Sequence, residues 1–192
     1  EIREGFGLRA VLDGELLAGR PGAPGTFNAL QQRLNRKAPT RRLLEANPVF
    51  VRLYDILLDG EEDLRALPFA ARRARLEAWH ARHVAGTARA GILDLSATLP
   101  FSGWEELAAL RARAAAQGAE GLMLKRLDSP YLGGRPRGPW FKWKRDPMRV
   151  DAVLLYAQRG HGRRSSFYSD FTFGCWGPAG ELVPVGKAYF GF

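Results

Sequence analysis

At 192 residues the chain has room for one large domain or for one and a half of ordinary size. Its 46% hydrophobic and 26% charged residues exclude a disordered or fibrous chain and describe an ordinary globular protein. A net charge of +9 and a pI near 10.3 point to an anionic partner, most simply nucleic acid. Much of that excess is arginine, which forms bidentate pairs with phosphate more readily than lysine does. The single cysteine, Cys175, excludes an intrachain disulfide and argues for a reducing compartment. It sits in an aromatic strand, which favours a buried apolar role. No apolar run is long enough to cross a bilayer and no signal peptide is visible, so a cytoplasmic location is expected. The chain opens on Glu1 without methionine and closes at Phe192 within a strand-like run, which reads as a piece of something longer.

Residues 10–17 read as a strand interrupted by Gly14. Thr26 is placed to cap a short helix in which Phe27, Leu30 and Leu34 recur at i, i+3 and i+7. Asn47-Pro48 breaks the chain before a second strand, residues 49–58, and Asp59-Gly60 turns it. An arginine-rich helix follows Pro68, with Phe69, Leu76 and Trp79 able to share a face. His80 and His83 on that helix have no carboxylate or cysteine near them in sequence, which argues against a metal site. Ser102 and Glu105 form a capping-box pattern for another helix, with Trp104, Leu107, Leu110 and Ala114 as its apolar stripe. Two short charged strands, residues 120–125 and 140–144, are joined by a Gly/Pro/Arg loop. Three β-rich runs, 151–158, 166–176 and 181–189, then imply an antiparallel sheet or the beginning of a small barrel. No internal repeat or low-complexity segment is present.

The charged strands carry the most information. Strand alternation places Glu120 on one face with Leu122 and Leu124, and it sets Trp140, Lys142 and Lys144 on one face of the second strand. One carboxylate and two ammonium groups suit a site that holds a metal ion and phosphate oxygens. Glu120-Gly-Leu-Met-Leu-Lys125 followed by Trp140-Phe-Lys-Trp-Lys144 resembles motifs IV and V of the lysine-adenylating nucleotidyltransferases, and among them the bacterial ATP-dependent DNA ligases. The intervening Arg126-Leu-Asp-Ser-Pro-Tyr131, with Gly133-Gly134-Arg135, is similar to the same loop in those ligases. The resemblance runs over most of the chain.

That resemblance implies a role for several residues. Asp13-Gly14-Glu15, which by itself reads first as an Asp-Gly β-turn, matches motif III, making Glu15 the carboxylate that contacts the ribose or supports the metal. Asp13 would support the loop. Phe50 to Asp55 matches motif IIIa, making Tyr54 the ring that stacks on the purine, a contact worth roughly 1–3 kcal/mol. On the segment alone Tyr54 is equally a core tyrosine with a satisfied hydroxyl, and family members often carry phenylalanine there. Asp55 would be a supporting carboxylate. Glu120 maps onto the ligand of a divalent metal, Mg2+ or Mn2+, and Lys142 and Lys144 onto the lysines that neutralise the phosphates of ATP. Trp140 and Trp143 are read as packing residues. The basic segments Arg33, Arg36, Lys37, Arg41, Arg42 and Arg159, Arg163, Arg164 are candidates for DNA phosphate contacts.

The nucleophilic lysine of this superfamily lies in a Lys-x-Asp-Gly motif, and none of Lys37, Lys125, Lys142, Lys144 and Lys187 has that context. The basic motif VI near the end of the family's OB-fold is also not found. The expected fold is α+β: residues 1–147 form the C-terminal part of an ATP-grasp-like adenylation (nucleotidyltransferase) domain, and residues 148–192 begin an OB-fold. The implied activity is ATP-dependent sealing of nicks in duplex DNA, through lysyl-AMP and DNA-adenylate, in repair, recombination or replication. The partners are ATP and nicked DNA, with a monomer working at the bacterial nucleoid. The alternatives are an RNA ligase or capping-type nucleotidyltransferase, or a non-catalytic DNA-binding truncation.

Overall fold

The computed structural model describes residues 8–34, 36–114, 116, 118–134, 136–147 and 149–189. The fold is α+β and divides into two compact units, Glu1–Arg145 and Asp146–Phe192.

The first unit is organised by β3 (Val49–Asp59), which starts directly after Asn47-Pro48. A proline withholds the amide that a ladder needs, so the strand begins just beyond it. On one side β3 pairs antiparallel with β1 (Ala10–Arg20), whose far end turns back into the two-residue β2 (Ala23–Pro24). On the other it pairs antiparallel with the short β4 (Glu62–Asp63) and parallel with β5 (Leu93–Leu95). The parallel β5 is an addition to the sheet that the sequence reading lacked. Three residues are too few to show a period.

Helix α3 (Phe69–His83) lies against β3 and begins after Pro68, whose fixed φ suits a helix start. Leu53 and Ile56 of β3 meet Leu76 and Trp79 of α3, and Leu64, Val84 and Leu93 close the cluster. The expected apolar face of α3 holds for Leu76 and Trp79, while the same face also carries Arg72, which is wholly buried. Arg72 Nε and Nη2 each donate to one carboxylate oxygen of Asp55 at 2.9 Å, and both side chains have no solvent exposure. The remaining Nη1 donates to the Leu67 carbonyl at 2.5 Å and to the Ser129 carbonyl at 3.0 Å. One guanidinium thus joins the central strand, the start of its covering helix and a loop 57 residues later.

The smaller helices depart from their sequence patterns. In α1 (Phe27–Leu34) only Leu30 is buried, whereas Phe27 and Leu34 are exposed. Eight residues give barely two turns, so one apolar anchor is all the helix docks. Thr40 caps α2 (Arg41–Ala46), a helix the sequence reading did not include, by accepting from the Leu43 amide. At α4 (Trp104–Ala114) the carboxylate that reaches back to Ser102 is Glu106 and not Glu105. Glu106 accepts from both the Ser102 amide and its hydroxyl at 2.8 Å. The helix starts at Trp104, one residue later than a Ser102 cap requires, so the reciprocal partner moves one residue on. Trp104 is exposed, and Leu107 and Ala114 form the buried stripe. The last elements of this unit are β6 (Gly121–Lys125) and β7 (Trp140–Lys144), an antiparallel hairpin.

The second unit is an antiparallel meander of β8 (Val153–Arg159), β9 (Tyr168–Trp176) and β10 (Leu182–Tyr189), with β9 in the centre. Among its described residues only Thr172 and Gly174 are buried, and Cys175 is half-buried, less enclosed than its aromatic surroundings suggested.

Truncating one partner of a buried ion pair strands the other charge without solvent. Arg72→Met is therefore expected to cost ~3–5 kcal/mol in urea-monitored unfolding. Arg75→Met, on the exposed side of the same helix, is expected to stay within about 1 kcal/mol.

Candidate functional site

The register of the β6–β7 hairpin decides which charged residues meet. Lys144 lies opposite Gly121, Lys142 opposite Met123, and Trp140 opposite Lys125. Cross-strand partners share a face, so Lys142, Lys144, Trp140, Met123 and Lys125 line one side of the hairpin. Leu122, Leu124, Phe141 and Trp143 line the other, where the Arg111 guanidinium sits 5.3 Å above the Trp143 ring. Gly121 has a φ of +151°, and a Cβ there would stand 2.3 Å from the Trp143 carbonyl oxygen. Only glycine fits that close approach.

Glu120 stands just outside this ladder, which corrects its expected grouping with Leu122 and Leu124. Alternation applies only within the strand, and the strand begins at Gly121. The Glu120 carbonyl accepts from the Arg145 amide, and its carboxylate takes the Lys144 ammonium at 2.8 Å. That bond, with the nearby charges of Lys142 and Arg145, holds the exposed Glu120 carboxyl below the usual range for glutamate. Among the described residues no three His, Cys, Asp or Glu side chains gather into a metal-holding group. One exposed, ionised carboxylate fits the chemistry of Mg2+, which takes most of its ligands from water and phosphate oxygens.

On the sheet, Glu15 lies directly across the ladder from Arg52, and Arg52 forms a two-pronged pair with Asp94, its closest contact 2.8 Å. Two residues along each strand, Tyr54 donates its hydroxyl to Asp13 Oδ1 at 2.8 Å. The other Asp13 oxygen accepts from the Tyr131 hydroxyl at 2.7 Å. Asp13 thereby ties β1 to β3 and to the loop after β6. Burial, together with its bond to Asp13, raises the Tyr54 phenol well above its ordinary value, and the Asp13 bond lifts Tyr131 to about 12. Both remain donors at any physiological pH.

The hairpin and the sheet meet at Lys125. Its ammonium lies 4.0 Å from the centroid of the Trp140 ring, 4.6 Å from that of Tyr54 and 4.7 Å from that of Phe69. The nitrogen is buried and has no hydrogen-bond partner among the described residues. Burial pushes its pKa down to about 8, against the opposing pull of Asp55 and Asp13. The walls of this cage are pinned in turn. Trp140 Nε1 donates to Ser129 Oγ, Tyr131 meets Trp140 edge-on, and the Arg72 guanidinium covers both Phe69 and Tyr131 at 5.7 Å.

Of the residues expected from sequence, the first unit carries Glu15, Tyr54, Glu120, Lys142 and Lys144, with Tyr54 joined to the hairpin through Lys125. Trp140 does pack, as expected, but its packing partner is a buried cation. Lys125, Phe69 and Tyr131 were missed. Alternation along two short strands signals that Lys125 and Trp140 can be neighbours, but nothing local brings Tyr54 and Phe69 to them. The basic candidates are spread out. Arg33 donates to the Asn47 carbonyl and Arg36 to the Gln32 carbonyl, while Lys37 is exposed. Arg41 pairs with Glu45. In the second unit Arg159 lies over the Tyr168 ring, and Arg163 and Arg164 sit on an exposed turn, Gly162–Arg164. Arg73, Arg75 and Arg82 of α3 are matched by Glu77, Asp59 and Glu62, so part of the chain's arginine is already neutralised within the fold. Arg135 of the loop falls outside the described residues.

Comparison with known proteins now has a geometry to rest on. Residues 2–144 match the ATP dependent DNA ligase domain. The chain belongs to that family. It is 36% identical over 195 residues to DNA ligase 1 of Korarchaeum cryptofilum, covering 97% of this chain and 33% of that protein. It is 35% identical over 186 residues to the DNA ligase of Thermococcus onnurineus, covering 96% and 32%. A mycobacterial DNA ligase D solved in complex with ATP and MES superposes with a TM-score of 0.53 at 25% identity, covering 95% of this chain and 51% of that one. The chain thus spans about a third of the length of the curated relatives it matches. No helix among its described residues is long and apolar enough to cross a membrane.

The caged ammonium has a measurable signature. In the folded state Lys125 releases its proton near pH 8, whereas in the unfolded chain it keeps it to about 10.5. Between those values the unfolded state binds more protons, so folding stability rises with pH. Thermal unfolding from pH 7 to 10 is expected to show wild type gaining on Lys125→Met across that window, with the variant at least as stable as wild type at pH 7.

Proposed function

We propose that these residues form the nucleotide-handling portion of an ATP-dependent DNA ligase that seals nicks in duplex DNA. The observation that carries the reading is the docking of the β6–β7 hairpin on β3 through Lys125. That docking supports the reading because it sets Lys125 and Trp140 of the hairpin against Tyr54, in the same compact unit that carries Glu15, Glu120, Lys142 and Lys144. Family membership and the ATP-bound mycobacterial relative support the choice of nucleotide.

In this reading Tyr54 stacks on the adenine and Glu15 accepts from a ribose hydroxyl. Glu120 is the residue that would hold Mg2+ or Mn2+, which supplies charge neutralisation at the transferring phosphate when bound. Lys142 and Lys144 face the phosphates as compact point charges. The Glu120–Lys144 pair keeps the carboxylate ionised and the ammonium nearby until phosphate oxygens take the lysine over. Phosphoryl-type transfers place their developing charge on such oxygens, so positioned cations do most of the work. The attacking lysine belongs to a Lys-x-Asp-Gly segment that the 192 residues do not contain. Once formed, lysyl-AMP passes its AMP to the 5′-phosphate of a nick, and the 3′-hydroxyl displaces it. Residues 1–147 act as part of the adenylation domain and residues 148–192 as the first strands of an OB-fold. Arg33, Arg36, Lys37, Arg159, Arg163 and Arg164 are proposed contacts to DNA phosphates. The complete ligase is expected to act as a monomer in the cytoplasm at the nucleoid, in repair, recombination or replication.

Two outcomes test this. Incubated with labelled ATP and Mg2+, the 192-residue chain is expected to acquire no covalent AMP, and label on Lys125, Lys142 or Lys144 would overturn the assigned roles. In the complete ligase, Glu120→Ala and Lys142→Ala are each expected to lower self-adenylation by two orders of magnitude or more, the scale of losing one preorganised electrostatic contact. The nick-sealing variants are compared on DNA and RNA duplexes across a salt series, because each phosphate contact adds about 0.9 to the salt slope on duplex DNA. Sealing confined to RNA duplexes would assign the chain to an RNA ligase.

A further inference from the structure

Tyr54 is held more firmly than a core tyrosine needs to be. Its hydroxyl is fixed on Asp13, and a buried ammonium lies against its ring. Asp13 is saturated by two phenols that arrive from different parts of the chain, β3 and the loop after β6. Lys125 lies where an ammonium is costly, because its nitrogen is shut off from solvent and meets no hydrogen-bond acceptor among the described residues. Three ring faces offset part of that cost through cation–π attraction, which strengthens when the cation is desolvated. Asp55 and Asp13 attract this ammonium, while Arg72 and Arg73 repel it. A methionine of similar length fills an aromatic cage without any of these demands. A charge kept in such a place, touching the ring assigned to the nucleobase, has a use beyond packing.

We propose that Asp13 and Lys125 are positioning residues for the nucleobase, the carboxylate fixing the edge of the Tyr54 ring and the caged ammonium fixing its tilt. The inference rests on the reading of Tyr54 as the base-stacking residue. A ring that must stop flipping and rocking when a base stacks on it loses freedom on binding, and that loss weakens affinity. Here the bond to Asp13 and the caged ammonium remove that freedom within the chain's own fold. Only the ring surface not covered by Lys125 is left for the base, so the ring presents one defined stacking plane. The clamp at Asp13 depends on a hydroxyl that phenylalanine at this position lacks.

The test is the ATP dependence of self-adenylation in the complete ligase. Tyr54→Phe keeps the ring and removes only its hydroxyl. It is expected to raise the KM for ATP about 3- to 10-fold, the scale of one newly mobile side chain, with kcat within twofold. Lys125→Met is expected to raise KM similarly while its melting temperature at pH 7 stays level or rises, and Lys125→Arg to recover part of the loss. A residue that served only packing would lower the melting temperature and leave the ratio of KM to kcat unmoved. Asp13→Asn also disturbs the Tyr131 bond, so its combination with Tyr54→Phe should be no worse than the more affected single variant, since the two share the Tyr54–Asp13 bond. If Asp13→Asn does not fold, Tyr54→Phe and Lys125→Met decide the matter alone. Unchanged KM in both, alongside a large KM increase in Tyr54→Ala, overturns the positioning inference and leaves the stacking assignment standing. Unchanged KM in Tyr54→Ala overturns the stacking assignment itself.

Discussion

A guanidinium without solvent has to satisfy all its donors inside the protein, and Arg72 does so with the carboxylate of Asp55 and the carbonyls of Leu67 and Ser129. That requirement fixes three things at once. The central strand, the first turn of the covering helix and the loop between the hairpin strands must all sit where the arginine can reach them. The planar fork of arginine allows little angular slack, so the arrangement is specific as well as strong. Everything proposed for the nucleotide depends on this joint. Tyr54 is the neighbour of Asp55 on β3, Phe69 opens α3 three residues before Arg72, and Ser129 accepts from Trp140.

Built on that joint, the cage around Lys125 links the sheet to the hairpin with no hydrogen bond to the ammonium itself. Its partners are the faces of rings, which attract a cation without fixing its distance or direction closely. The orientation comes instead from the phenol–carboxylate bonds at Asp13 and from the indole–hydroxyl bond at Ser129. The division of labour is clear in physical terms. The cation supplies an attraction between two elements far apart in sequence, and the directional hydrogen bonds supply the angles. At the open end of the hairpin the logic reverses, where Glu120 and Lys144 pair in full view of solvent. Such a pair contributes little to stability and is easily exchanged for another ligand.

Much of this was legible in the sequence. The strands around Val49–Asp59, Gly121–Lys125 and Trp140–Lys144 announced themselves by composition and flanking turns, and the motif spacing led to the family. The helix after Pro68 showed its apolar face in Leu76 and Trp79. What escaped was long-range. Asp13 meets a tyrosine 118 residues away, and no periodicity encodes that contact. Arg72 stood unmarked in the arginine-rich helix because sequence gives no sign that a matching acid waits on another element. The same blindness inflated the basic surface, since Arg73, Arg75 and Arg82 are matched by acids from β3, β4 and α3 itself. Where short segments misled, at Phe27, Leu34 and Trp104, an apolar stripe was present but the helix was too short or too peripheral to bury all of it.

The central claim is that Tyr54, Lys142 and Lys144 converge on one nucleotide. A crystal structure of the complete ligase with AMP covalently bound tests it most directly. The account predicts the adenine ring parallel to the Tyr54 ring at stacking distance, with Lys142 or Lys144 at the phosphate and the Tyr54–Asp13 bond intact. An adenine bound elsewhere, with Tyr54 still enclosed and both lysines turned to solvent, would contradict it.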